Sequence, residues 1–273
     1  MLSAKAASLP MVKTDGLADS RDEMKKDRHR AAAGSQARGA RRFRREQLSI
    51  LYDDDAVVVV NKPPGLPAVP VPGSEIPSAW SLLSARLEAK RQKAFTVHRI
   101  DRFTSGTMLF AKTERDRDAL VEQFLTHTPE REYLAIVRGQ VEPKEGTLVH
   151  YLRKAGMFQK LSRANDRNAA RAELKYVVER TLRGASLVRV ALVTGLQNQI
   201  RVQFSGVGHP VIGDRKYHPA EAQEHLIDRV ALHAVHLGFD HPRSGKRIDI
   251  DCEPPQDFRA LVQALSASNS KKH

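Results

Sequence analysis

The chain has 273 residues, of which 45 are Lys or Arg and 32 are Asp or Glu, giving a formal net charge of +13. With 41% hydrophobic residues it can build a core, which excludes wholesale disorder, and its single Cys252 excludes both an intramolecular disulfide and a cysteine-based zinc or iron–sulfur site. There is no apolar run of about 18 residues to span a bilayer, and the start of the chain lacks the basic-then-apolar order of a secretory signal, so the expectation is a soluble, cytoplasmic protein with no membrane partner.

The basic excess makes nucleic acid the first candidate partner, because lysines and arginines release the counterions condensed on polyphosphates. The alternative is a basic but ordinary surface. Residues 1–47 hold twelve basic and six acidic residues with few β-branched or aromatic ones, and read as a disordered arm whose run ARRFRRE suits either RNA phosphates or solvent. The remainder keeps +7 of the +13, so the body is basic as well. The length suits one domain over residues 48–266, followed by a polar tail over 267–273.

From Leu48 the pattern changes. An acidic turn leads into Val57–Val60, a buried strand that a Pro-Pro-Gly turn stops. Pro77 to Gln92 has helical spacing with Ser78 as its cap, and Thr113 with Asp116 reads as a capping box that opens a helix through Phe124. Short apolar runs over 107–111, 132–137, 174–178 and 187–193 read as strands. Residues 151–171 carry Arg153, Lys154, Lys160, Arg163, Arg167 and Arg171 with hardly any acid, as an exposed loop or hairpin. A helix near Gln256 to Leu265 closes the chain, and no repeat of 20 to 50 residues is present.

The densest polar cluster is His98-Arg99-Ile100-Asp101-Arg102-Phe103-Thr104-Ser105-Gly106, just before the apolar TMLFAK. Asp101 stands between two arginines, which favour its ionised form and suit it to work as a nucleophile or base rather than an acid. A plain Asx or Ser/Thr turn into the strand reads equally well from these residues alone. Three histidines, His233, His236 and His241, have no compact ligand spacing, so no metal is expected. The Gly245-Lys246-Arg247 triplet lacks the phosphate-loop spacing, and the Asp53-Asp54-Asp55 run reads as a solvated turn rather than as a glycosidase partner for Asp101.

HRIDRFTSGTMLFAKT closely resembles the HRLDxxTSGxxxxAK signature of the RluA-type RNA pseudouridine synthases. VVVVNKPPGLP, REYLAIVRG, NQIRVQFSGVGHPVIGDRKY and ALHAVHLGFDHP resemble further segments of that family, in its order, so the likeness runs from about Leu48 to Leu265. The resemblance implies the pseudouridine synthase fold, an α+β domain whose mixed, largely antiparallel β-sheet carries flanking helices. It also implies isomerisation of uridine in rRNA or tRNA without a cofactor. Its site would comprise Asp101 as the catalytic carboxylate, Arg201 as its ion-pair partner and Tyr133 stacking on the target base. Arg99 would fill the gap left by the flipped base, Ile200 would line the pocket, and His98 and Arg102 flank the signature. Where many members read GRTHQIRVH this chain reads Gly195 to Gln203 as GLQNQIRVQ, so an arginine and two histidines are absent, and the family's frequent N-terminal α-L RNA-binding domain is not expected here. Nothing in the sequence calls for an obligate partner subunit, so a monomer is expected. The competing reading is a non-catalytic RNA-binding or ribosome-assembly factor on the same fold.

Overall fold

The computed structural model describes residues 48–156, 158–218 and 226–266. The arm expected over 1–47 and the tail over 267–273 lie outside them. The rest is one eleven-stranded sheet with helices packed on it. Strands β1 (Ser49–Asp53), β2 (Val57–Lys62), β3 (Phe95–Thr96) and β4 (Ser105–Ala111) form one half, with helices α1 (Ala79–Glu88) and α2 (Glu114–Leu125). The other half is built from β5 (Glu130–Arg138), β6 (Glu145–Ala155), β7 (Phe158–Ser162), β8 (Ala170–Leu182) and β9 (Ala185–Leu192), and α3 (Gln199–Gly206) follows. Strands β10 (Leu232–Asp240) and β11 (Arg247–Asp251) and helix α4 (Gln256–Ser266) end the chain. The main path runs β1-β2-β4-β10-β5-β9-β8-β6-β7, with β3 added to β4 and β11 to β10.

Burial follows position in the sheet. Every residue of β4 is buried and Val57 to Val60 of β2 are fully so, which is why these segments are continuous apolar runs rather than alternating ones. In β6 and β8, near the far edge, buried and exposed residues alternate more closely, as in strands with one wet face. The larger core packs β5, β8, β9 and β10 with Phe204 of α3 and Phe258 of α4. A second core joins β2, β4, β10 and Leu120 of α2.

The strands expected over 57–60, 107–111, 132–137 and 174–178 lie inside β2, β4, β5 and β8; the last run, 187–193, overruns the end of β9 by one residue. The basic stretch 151–171 is a hairpin, β6 turning into β7 and running on to β8. The first helix is shorter than its sequence spacing predicts. It starts after Ser78, whose hydroxyl accepts the Ser81 N–H while the Ser81 hydroxyl accepts the Ser78 N–H. It ends at Glu88 because Arg91 takes a left-handed φ of 56° and the Gln92 N–H turns back to the Leu87 carbonyl. At α2, Thr113 caps the Asp116 N–H as expected, but the Asp116 carboxylate accepts the Thr113 hydroxyl and pairs with Arg243 instead of closing the box.

The single parallel pairing among the described strands joins β4 to β10. It depends on the Thr104-Ser105-Gly106 end of the signature. The Ser105 hydroxyl donates to His233 Nδ1 at 2.9 Å, and His233 Nε2 in turn donates to the Cys252 carbonyl at 2.8 Å. Gly106 has a φ of 114°, and a Cβ there would lie 2.1 Å from the Ala234 carbonyl oxygen. Both the dihedral and the contact require glycine. Gly106→Ala is expected to cost about 3 kcal/mol or more of stability, the sum of left-handed strain and overpacking, read as a fall in the urea midpoint.

Candidate active site

The loop between β3 and β4 carries Asp101 into a cavity of about 620 Å³, within the usual range for a small-molecule site. His98, Arg99, Tyr133, Ile200 and Arg201 line the same cavity. Arg102 does not. Its Nε donates to the Gly65 carbonyl at 2.9 Å, and its own carbonyl accepts the Gly65 N–H and the Lys62 ammonium, so it ties the Pro-Pro-Gly turn to the Asp101 loop.

Arg201 reaches Asp101 at 3.5 Å, from Nη1 to Oδ2, but its tight partner is Asp214, which the sequence reading missed. Nε and Nη2 of Arg201 each donate to an Asp214 oxygen at 2.7 Å, and Nη1 donates to Asn198 Oδ1 at 2.6 Å. Burial works against the guanidinium, but the hydrogen bonds and charge of Asp214, then the charge of Asp101, outweigh it and hold the Arg201 pKa above its ordinary value. Asp101 is left beside a cation that another carboxylate already satisfies, and no described residue hydrogen-bonds its side-chain oxygens. At 23% exposure those oxygens face the cavity with their lone pairs available.

Lys62 is the other missed residue near Asp101. Its ammonium is fully buried and donates to the carbonyls of Pro63, Leu66 and Arg102, three acceptors for three protons. Burial pulls its pKa down to about 7 while the Asp101 charge pulls it up. A lysine ending an apolar valine run was the signal for it.

Tyr133 lies on β5, where burial pushes its phenol up to about 12, so it is a neutral hydroxyl and an aromatic wall at physiological pH. His98 stacks on Phe124 with ring centroids 4.6 Å apart and accepts the Leu109 N–H at Nε2. Burial, then the Arg131 charge, lower its pKa to about 3, which makes it a neutral wall and not a base. Arg99 is exposed at the cavity, and Ile200 is buried on α3.

The departures in GLQNQIRVQ are absorbed locally. Leu196 packs against Leu152, Ala172 and Val202. Asn198, at a left-handed φ of 53°, turns its carbonyl oxygen onto Arg201. Gln203 is fully buried, and its Nε2 lies within hydrogen-bonding distance of the carbonyls of Leu148 and Ala172 and of His150 Nδ1, three partners that share its two N–H groups. Gln199 holds the loop before α3 by accepting the Leu196 N–H and the Thr194 hydroxyl.

Residues 56–206 match the model of the family described as RNA pseudouridylate synthase. The chain belongs to that family. As an RNA pseudouridine synthase it is an isomerase, and the similarity extends past the matched segment. It is 36% identical over 234 residues to the ribosomal large subunit pseudouridine synthase D of Zymomonas mobilis, covering 81% of this chain and 74% of that one. It is 34% identical over 198 residues to the dual-specificity RNA pseudouridine synthase RluA of Vibrio cholerae, covering 72% and 79%. The human RNA pseudouridylate synthase domain containing 4 shares the fold, with a TM-score of 0.66 at 24% identity over 80% of this chain and 92% of that one.

The synthase's buried histidines give it an acid sensitivity. Burial lowers His233 to about 4, as it lowers His98 to about 3, below the value near 6.5 of an unfolded histidine. Below about pH 6.5 the unfolded chain therefore binds protons that the folded chain refuses, and stability falls with pH until about 4 for His233 and 3 for His98. Each group is expected to add up to about 1.4 kcal/mol per pH unit to this slope. Urea midpoints from pH 7 to 5 check it, and His233→Gln should remove its share.

Proposed function

We propose that this synthase isomerises a uridine in structured RNA, with ribosomal RNA of the large subunit the favoured class, and that Asp101 is its catalytic carboxylate. The observation that carries the reading is the Asp101 carboxylate, 3.5 Å from Arg201 and free of other hydrogen bonds among the described residues, in one cavity with Tyr133. The favoured RNA class is supported by the names of relatives such as the large subunit synthases of Zymomonas mobilis and Haemophilus influenzae.

The reaction moves one bond. The N1–C1′ bond of uridine breaks, the uracil turns, a C1′–C5 bond forms, and N1 gains a proton while C5 loses one. Nothing is added or removed, so no cofactor is consumed. Asp101 acts on the ribose as the bond breaks, and Arg201, held by Asp214, stands 3.5 Å from the carboxylate and orients it. Tyr133 offers an aromatic face to the extruded base, which leaves its stack at a cost of a few kcal/mol. Arg99, exposed at the cavity, fills the gap in the RNA, and Ile200 closes the pocket wall. The basic segment supports the RNA reading: Lys154 and Lys160 are exposed on the β6–β7 hairpin, and Arg163 and Arg167 are exposed on the turn from β7 to β8. The catalytic domain spans 48–266 and acts as a monomer in the cytoplasm, with residues 1–47 as a basic arm that adds phosphate contacts.

Carbodiimide-dependent reverse-transcription mapping of total RNA tests the activity. A stop should vanish when the gene is deleted and return with wild type but not with Asp101→Asn, whose turnover should fall by ~10⁴-fold with RNA binding retained. Return of the stop with Asp101→Asn would remove that residue from the chemistry. Removing residues 1–46 should weaken RNA binding about tenfold at 0.1 M salt and flatten its salt dependence; an unchanged slope would show that the arm does not touch phosphates.

A further inference from the structure

Three arginines of the described chain are nine-tenths buried, and two of them are neutralised. Arg201 forms its two-pronged pair with Asp214, and Arg229 makes the same kind of pair with Asp257 at 2.6 and 2.8 Å. Arg131 is 8% exposed and has no carboxylate partner among the described residues. It lines the active cavity from β5, two residues before Tyr133 and so on the same face of the strand.

What holds Arg131 is partial. Nη2 donates to the Val193 and Leu192 carbonyls at 3.2 and 3.5 Å, and the guanidinium carbon lies 5.6 Å from the Phe124 ring centroid. Nε is buried with no hydrogen-bond partner. Nη1 occupies the space above Gly195, where a Cβ would come within 2.5 Å of it. The group is thus placed, yet its charge and three of its five N–H donors, those on Nε and Nη1, find no acceptor among the described residues. Taking an unpaired charge out of water is unfavourable, and burial accordingly pushes the Arg131 pKa down. Such a group sits comfortably only when an anion arrives beside it.

We propose that Arg131 forms an anion subsite of the active cavity, which holds a backbone phosphate of the RNA beside the target uridine. The inference rests on the reading that this cavity takes a uridine from an RNA strand. A phosphate is charged in the resting substrate and suits the planar fork of a guanidinium, whereas the uracil ring is neutral until its glycosidic bond breaks. Of the other arginines of the cavity, Arg171 pairs with Glu173 and Arg201 with Asp214, while Arg99 is exposed at the rim and is the side chain assigned to the gap in the RNA. Gly195 keeps the subsite open, since any side chain there would displace the fork.

The test uses the full-length protein as Arg131→Met and as Gly195→Ala, the second leaving the charge in place but moving it. Both are first checked for a wild-type unfolding transition. Affinity for transcribed large-subunit ribosomal RNA is then measured against salt, and single-turnover rates are measured on a hairpin spanning the mapped uridine. Arg131→Met should raise Kd about tenfold or more at 0.1 M salt and lower the log–log salt slope by about one. Gly195→Ala should raise Kd in the same direction. A hairpin with one neutral methylphosphonate beside the uridine should lose that affinity with wild type and lose nothing more with Arg131→Met. An unchanged Kd and slope with a slower single-turnover rate would overturn the proposal and place Arg131 on the uracil ring; no change in any of these would make it a structural residue. Binding is read separately from turnover. A wild type that binds through Arg131 but converts no uridine would overturn the proposed function and leave the subsite standing.

Discussion

A buried arginine held from two sides sets the geometry of the site. Arg201 cannot leave water without a counter-charge, and fully buried Asp214 supplies it through two short hydrogen bonds. The pair fixes the first turn of α3 against the segment that follows it, and Asn198 bends into a left-handed conformation to satisfy the remaining donor. Had Asp101 been the sole counter-ion, its oxygens would be committed to the guanidinium. Instead the carboxylate stands 3.5 Å away, and no described residue hydrogen-bonds its oxygens.

The backbone around that pair is braced in the same economical way. Lys62 and Gly65 fasten the Pro-Pro-Gly turn to the Arg102 carbonyl, and Ser105 and Gly106 fasten the start of β4 to β10. Asp101 stands immediately before both attachments, and its own carbonyl accepts the Thr104 N–H, so the loop is tied on its C-terminal side. The wet edge of the sheet is built differently. Leu161 of β7 lies against Gly206 of α3, and the Gln159 N–H donates to the Tyr217 hydroxyl, which places the basic hairpin beside the segment that carries Asp214.

The continuous apolar runs of β2 and β4 were legible in the sequence because strands buried on both faces need no polar alternation, and the Asp101 signature was legible because it is contiguous. Asp214 was not, because its partnership with Arg201 spans thirteen residues and a change of direction that no local pattern encodes. Lys62 and Arg131 stayed hidden for a related reason: each reads as an ordinary basic residue at or near a strand, and only burial reveals that its charge must be answered. The overextended first helix shows the limit of spacing as a guide, since a single left-handed residue, Arg91, ended it where the apolar pattern ran on. The serine and threonine of the signature read as turn formers, and in the folded chain Ser105 is a strand residue tied to His233, a pairing across 128 residues that no local pattern encodes.

The contact between Ser105 and His233 joins residues 128 apart in sequence. During synthesis at about 5–20 residues per second, the stretch between them takes roughly 6 to 25 s to emerge. Over that interval the Asp101 loop exists without the strand that clamps it, and the sheet lacks β10 between β4 and β5. Catalytic competence is therefore a late event in the life of each nascent chain. A growing polypeptide with a basic surface can meet RNA before it can act on it, and the last quarter of the sequence decides when the first three become an enzyme.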